Sequence, residues 1–426
     1  MSGIISRLCA ETELPRMVKV RQKFERDSIT RDAIPAAINA ELSLPRLGDP
    51  IRRDMRIAIT CGSRGIANIA EIIRTLAAFV KSKGARPFVV PAMGSHGGAT
   101  GPGQKALIEG YGVTEEFIGC PIVSGMETVV IGETEEGHSV RIDRNAAESD
   151  GIILTARIKP HTDFHGPYES GLMKMMTIGL GKREGADICH EAGFGRMARL
   201  VPLFGRCILK KAPIALGLAI LENAYGETCK LAALRPDEIE AEEPLLLEEA
   251  RGHLPLIPFA EADVLVIDRI GKDISGDGMD PNVTGASPCS PFVSGGLKSQ
   301  RTVVLDLTQA THGAAVGIGA AHTITRRLFN KIDYEATYIN VITARSLEFV
   351  RIPCILETDR EAVQLALRTC TGIDRSKPRI IRIADSLHTE TFWISEAMRA
   401  EGEKNPRITV ESEPEPWAFN GEGNLW

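Results

Sequence analysis

The sequence predicts an α/β protein of two domains, each built on a mostly parallel sheet, and three observations carry that reading. The chain has 426 residues, more than one small core accommodates. Short apolar runs alternate with helix-period segments through the first half. Beyond an acidic stretch over residues 235–259, the same alternation begins again. The expected division is an N-terminal α/β domain, residues 1–258, and a C-terminal α/β domain, residues 259–426. The active site is expected in the cleft between them.

In chain order, "MRIAIT" (55–60) reads as a buried strand ending in the turn "CGSRG". In the segment that follows, Ile66, Ile69, Ile73, Leu76 and Val80 share one helical face, and Gly84 ends it. "RPFVVPAMG" is a strand running into a glycine-rich loop, "GPGQKALIEGYG" a helix, and "GIILTARI" (151–158) another strand. The stretch over 235–259 reads as a connection with an exposed helix. "ADVLVID", "TVVLDLT", "YINVITA" and "PRIIRIA" are the strands expected beyond it, with helices near 361–369 and 395–401. The acidic tail "ESEPEPWAFNGEGNLW" carries two tryptophans and is expected on the surface or docked through those rings.

Composition excludes several classes. Net charge is −6 without a long block of either sign, unlike a binder of nucleic-acid backbones. No apolar run reaches the length of a membrane span, and the N-terminus lacks a signal-peptide pattern. Nine cysteines without a CxxC argue against a disulfide framework or a cysteine-based metal site and suit a reducing cytoplasm.

In parallel α/β sheets ligands bind beyond the carboxyl ends of the strands. Three expected strand ends lead to "CGSRG" (61–65), "GSHGG" (94–98) and "KPHTDFHG" (159–166), which brings Arg64, His96 and His161 toward one place. Two histidines flanking a substrate suit a two-sided acid/base reaction, because imidazole both donates and accepts near neutral pH. Arg64 offers a planar fork for a carboxylate. Lys174, in "GLMKMMTIG", is either a nucleophile in apolar surroundings or a side chain that reaches water from a helix edge. "TIGLGKREG" matches neither the P-loop nor the dinucleotide fingerprint, although a glycine-rich turn at a helix start can hold a phosphate through backbone N–H groups. "DISGDGMD" (273–280) begins like a calcium loop but lacks the closing glutamate, where Thr284 stands.

In these residues the chain resembles the nickel-dependent lactate racemases and their wider group of 2-hydroxy acid racemases and epimerases. The shared pattern is "GSRG" with Arg64, "GSHGG" with His96, "KPH" with His161, "SGLMK" with Lys174, and His190 sixteen residues beyond that lysine. The resemblance implies a nickel-pincer nucleotide, a pyridinium-3,5-dithiocarboxylic-type mononucleotide, bound covalently to Lys174. It implies His190 as the nickel ligand, His96 and His161 as the acid/base pair, and Arg64 on the substrate carboxylate. Ser63, Gly97 and Gly171 are the further cofactor-binding residues it implies, and cofactor-synthesis enzymes are the implied maturation partners. The implied reaction inverts C2 of a 2-hydroxy acid by moving a hydride to the cofactor and back.

The chain departs from the family pattern in several places. His161 stands three residues farther from Lys174 than the pattern has it, which makes His165 a rival base. Cys189 precedes His190 where the pattern has asparagine, and Cys61 stands where an aspartate often lies. The loop "GKDISGDGMDPNVTG" lacks the Gln-x-x-Lys of the lactate enzymes and leaves Lys272, Asp277 or Asp280 to substitute, which points to an acid other than lactate, such as a sugar acid. Two alternatives stand beside the racemase. One is a non-catalytic binder of a small acid or nucleotide that has lost the cofactor. The other is a zinc or iron hydrolase using His96, His161 and His190, for which the ligand spacings are absent.

Overall fold

The computed structural model of the protein describes residues 3–63, 65–288 and 292–426, without the side chains of Asn340 and Thr343. Arg64, the expected carboxylate fork, lies outside the described residues. Two compact units make up the chain: Arg26–His253, and Leu254–Trp426 together with the first 25 residues.

The N-terminal segment is where the structure differs from the sequence division. Its strand β1 (Met17–Gln22) runs antiparallel to two strands of the C-terminal unit, so these residues belong to that unit's sheet and not to an N-terminal domain. Val18 and Val20 are fully buried there against Phe392 and Ile394.

The unit Arg26–His253 contains β2 (Arg56–Cys61), β3 (Arg86–Pro91), the hairpin strands β4 (Thr128–Glu133) and β5 (Ser139–Asp143), β6 (Gly151–Arg157), β7 (Ile214–Glu222) and β8 (Thr228–Leu234). Among the described residues its main sheet has the order β3-β2-β6-β7-β8, parallel except for the last pair. Alternate residues of the central strands face two cores, as the pleat requires. Ala58, Ile152 and Leu154 point into one core, and Ile57, Ile59 and Ile153 into the other. Both faces are therefore covered, as expected for a parallel sheet. The helix Ile69–Ser82 buries Ile69, Ile73, Leu76 and Val80 as its period predicts.

The other unit adds β9 (Glu261–Ile270), β10 (Lys298–Leu307), β11 (Thr323–Thr325), β12 (Cys354–Leu356), β13 (Ile380–Ile383), β14 (Thr391–Ser395) and β15 (Ile408–Val410). Their order with β1 is β12-β11-β10-β9-β13-β14-β1-β15, parallel from β12 through β13 and antiparallel thereafter. The mostly parallel α/β class read from the sequence is the observed one in both units. No helix among the described residues is long and apolar enough to cross a membrane.

Two expected elements differ. "YINVITA" lies in a helix, Tyr334–Ala344, and not in a strand. The Asp333 carboxylate caps it by accepting the Ala336 N–H at 2.8 Å, while Tyr338, Ile339 and Ile342 are exposed. A cap and local backbone bonds outweigh the β preference of an apolar run that joins no sheet. The helix Ile239–Gly252, expected to be exposed, buries Ile239, Glu243, Leu246, Leu247 and Ala250. The tail docks through its rings within its own unit: Trp417 Nε1–H donates to Pro15 O at 3.0 Å, and the Arg382 guanidinium lies 6.0 Å from the Trp417 ring centroid.

Phe392 is wholly buried where β14 meets β1. Phe392→Ala is expected to cost about 3–5 kcal/mol in urea unfolding of the full chain. A loss below about 1 kcal/mol would contradict the packing of the N-terminal strand on this sheet.

Candidate active site

Three strand ends of the Arg26–His253 unit carry the expected residues. After β2, the Ser63 hydroxyl hydrogen-bonds the Nδ1 of His96, which lies beyond β3. The Tyr111 hydroxyl donates to Ser63 O at 2.9 Å, and the Gln104 amide donates to Gly94 O at 2.9 Å and His96 O at 3.2 Å, so the loop around His96 is tied from two sides. Beyond β6, His161 packs its ring on Phe164, with centroids 4.5 Å apart, and its Nε2 contacts the amine of Lys174. That amine also lies 5.9 Å from the Phe164 ring centroid. Lys174 is half-buried and directed at a histidine, so it is not a lysine reaching for water.

These two clusters adjoin. Met175, next to Lys174, packs so closely on Gly62 that a Cβ there would lie 3.3 Å from its methyl. His190 stands near the end of the helix Lys182–Glu191, and its ring meets Phe194 edge-on at 5.9 Å. Phe194 also meets His161, at 6.5 Å. His96, His161, Lys174 and His190 thus belong to one region of one unit.

The expected cofactor glycines have internal reasons to be glycine. Gly97 has φ +65°, and a Cβ there would lie 2.7 Å from Gln104 N. At Gly171 a Cβ would fall 2.2 Å from Glu243 Oε1. The "GLGKREG" turn is likewise no phosphate cradle built on its lysine. Lys182 is fully buried and donates to Pro91 O at 2.5 Å and Gln104 Oε1 at 3.0 Å, with Asp143 Oδ2 3.2 Å away. Burial pulls its pKa down against the opposing pull of Asp143.

Two carboxylates that sequence reading missed shape the site from below. Glu169, only 1% exposed, accepts the N–H groups of His161 at 2.6 Å and Gly166 at 3.0 Å, contacts His165 Nδ1 at 3.2 Å, and pairs with Arg251. Burial alone would raise its pKa, yet the bonds from His165 and the two N–H groups hold it below the usual carboxylate range. Glu243, equally buried, accepts the Met173 N–H at 2.9 Å at the start of the turn that bears Lys174. Its Oε1 has no hydrogen-bond partner among the described residues, and burial pushes the carboxyl up to about 7. No sequence pattern marks either glutamate, since each matters only through a distant loop or helix.

The two cysteines that stand where the resemblance implies an aspartate and an asparagine are unreactive thiols. Cys61 and Cys189 are buried, and burial pushes each thiol up to about 12. Asp280, a proposed substitute in the second unit, caps the turn Pro281–Thr284 by accepting the Asn282 N–H at 3.0 Å. Asp273 likewise accepts the Thr308 hydroxyl at 2.6 Å, a bond that holds the "DISGDGMD" loop.

Residues 10–199 match the lactate racemase N-terminal domain model. This segment, just under half of the chain, is similar to that domain. The structure of the lactate racemase apoprotein from Thermoanaerobacterium thermosaccharolyticum matches with TM-score 0.51 at 14% identity, covering 86% of this chain and 94% of that one, and so shares the fold. A Thermotoga maritima structural-genomics protein matches at 12% identity with TM-score 0.46, covering 83% and 94%. No curated protein matches the chain.

A buried carboxyl beneath the Lys174 turn gives the test of this geometry. The Glu243 carboxyl has a folded pKa above its unfolded one, so the native state holds a proton that the unfolded state has released. Its stability penalty is absent below about pH 4.5, grows as pH rises toward about 7, and is constant above. The accumulated loss is roughly 3 kcal/mol at most. Denaturant midpoints against pH are expected to show this decline in the wild type and a flatter profile in Glu243→Gln. Gly171→Ala is expected to lose about 1–3 kcal/mol through its contact with the same carboxyl.

Proposed function

We propose that the protein is a racemase or epimerase inverting C2 of a 2-hydroxy acid, with a nickel-pincer nucleotide carried on Lys174. The observation that carries this reading is the Lys174 amine, placed against His161 and Phe164 in the same region as His96 and His190. The match of residues 10–199 to the lactate racemase N-terminal domain model supports it independently.

The residues present fit such a group. Among the described residues no three His, Cys, Asp or Glu side chains gather into a metal cage, so a nickel at His190 needs its other ligands from the cofactor. The same finding gives a hydrolase that binds its metal through several histidines no support. Lys174, directed at a ring nitrogen, is placed to act as a tether. When bound, the group supplies a place for the substrate's C2 hydride.

The chain's own residues supply the rest. His96, fixed through Nδ1 by Ser63, stands on one loop, and the histidines of residues 161–165 stand on another. One histidine takes the C2-hydroxyl proton as the centre is oxidised, and its counterpart serves the opposite face. Apolar rings at Phe164 and Phe194 line the region and limit water, which strengthens charge–charge and hydrogen-bond terms at the reacting atoms.

Protein co-expressed with cofactor-synthesis enzymes is expected to show a covalent mass adduct that disappears in Lys174→Ala, with nickel near stoichiometric. Substrate deuterated at C2 is expected to retain its label through inversion, because a shuttled hydride does not exchange with solvent. Solvent hydrogen appearing at C2 would instead establish a carbanion route. A wild type without adduct would favour the non-catalytic binder.

A further inference from the structure

We propose that His165, held by the buried Glu169 carboxylate, is the second acid/base histidine, and that His161 is the positioning residue of the Lys174 amine. The proposal rests on the racemase reading above and divides labour between two histidines four residues apart.

The hydrogen bonds differ at the two rings. His161 Nδ1 accepts the Asp163 N–H at 3.0 Å, so the proton of the neutral ring sits on Nε2. That nitrogen faces Lys174 Nζ. The ring lies tilted against Phe164, with centroids 4.5 Å apart, and is only 12% exposed, which fixes this direction. An Nε2–H can donate only to the unprotonated amine, so the ring orients the form of Lys174 whose lone pair bonds a cofactor.

His165 has the opposite arrangement. Its Nδ1 lies 3.2 Å from Glu169 Oε2, and a carboxylate there accepts the Nδ1 proton. A carboxylate behind Nδ1 fixes the tautomer, raises the basicity of Nε2, and stabilises the imidazolium that forms when Nε2 takes a proton. Glu169 stays ionised because Arg251 and the N–H groups of His161 and Gly166 converge on it. One carboxylate therefore builds the loop through the His161 backbone and orients the His165 ring. In the reaction, one enantiomer's O–H bond breaks as the His165 Nε2–H bond forms, and the hydroxyl of the opposite enantiomer takes its proton from His96; in the reverse direction His165 Nε2–H gives its proton back.

The test combines ring tautomers with two separable losses. In the apo wild type, nitrogen NMR of the imidazoles is expected to show His165 protonated at Nδ1 and His161 at Nε2. Glu169→Gln is expected to change the His165 pattern. In protein co-expressed with the cofactor-making enzymes, His165→Gln is expected to keep the Lys174 adduct at the wild-type level. It should lose inversion by about 100-fold or more, with lactate, glycerate and gluconate as probes. His161→Gln is expected to lose most of the adduct. Full adduct with lost turnover in His161→Gln, together with normal turnover in His165→Gln, would overturn the assignment, as would a His165 proton on Nε2 in the wild type. A wild type that takes no adduct would sink the racemase reading itself, a result distinct from either.

Discussion

A buried ammonium joins the parts of this site. Lys182 is inaccessible to solvent, yet its amine reaches the last residue of β3, the side chain of Gln104 and the carboxylate of Asp143. Gln104 in turn grips the loop that carries His96, and Lys182 itself opens the helix that carries His190. To make this reach, the residue adopts φ +53°, a conformation that costs a non-glycine side chain energy. A buried charge persists only where partners compensate its lost hydration, and losing one partner typically costs about 3–5 kcal/mol. The positions of the His96 loop and the His190 helix are therefore not independent. Both hang on one cation.

The fold was legible wherever burial imposed a period. β2, β3, β6, β9, β10 and β13 fall on the apolar runs that predict them, because a strand covered on both faces is apolar at nearly every position. "YINVITA" has the same composition, but no neighbouring strand completes its hydrogen bonds, and the Asp333 cap makes the helix the local solution. β1 was invisible for a related reason. Its partners are contributed from more than 360 residues away, and a short half-buried segment carries no sign of which sheet will accept it.

The site was legible as a list of residues and illegible as a set of roles. His96, His161, Lys174 and His190 stand out because loops and glycine-rich turns give them no packing reason to be there. What they do depends on Ser63, Gln104, Glu169 and Glu243, whose contacts come from distant positions in the chain. Glycines mislead in the same way. Gly97 and Gly171 look reserved for a ligand, yet Gln104 and Glu243 already occupy the space a side chain would take.

Glu169 and Glu243 show how the fold sets charge around Lys174. Both are 1% exposed, so desolvation opposes ionisation at each. Glu169 gathers a guanidinium, an imidazole and two N–H donors, and remains a carboxylate. Among the described residues Glu243 receives only backbone N–H donors, and burial moves its carboxyl up to about 7. Equal burial thus yields opposite shifts, and the difference lies in the partners. The consequence is directional: negative charge lies behind the histidine loop, and the floor beneath the lysine turn stays nearly neutral below about pH 7. An imidazole backed by charge gains basicity, while an amine above a neutral carboxyl gains no fixed counter-ion from that side. That asymmetry suits the roles proposed for the two, a loop moving protons beside a lysine holding a ligand.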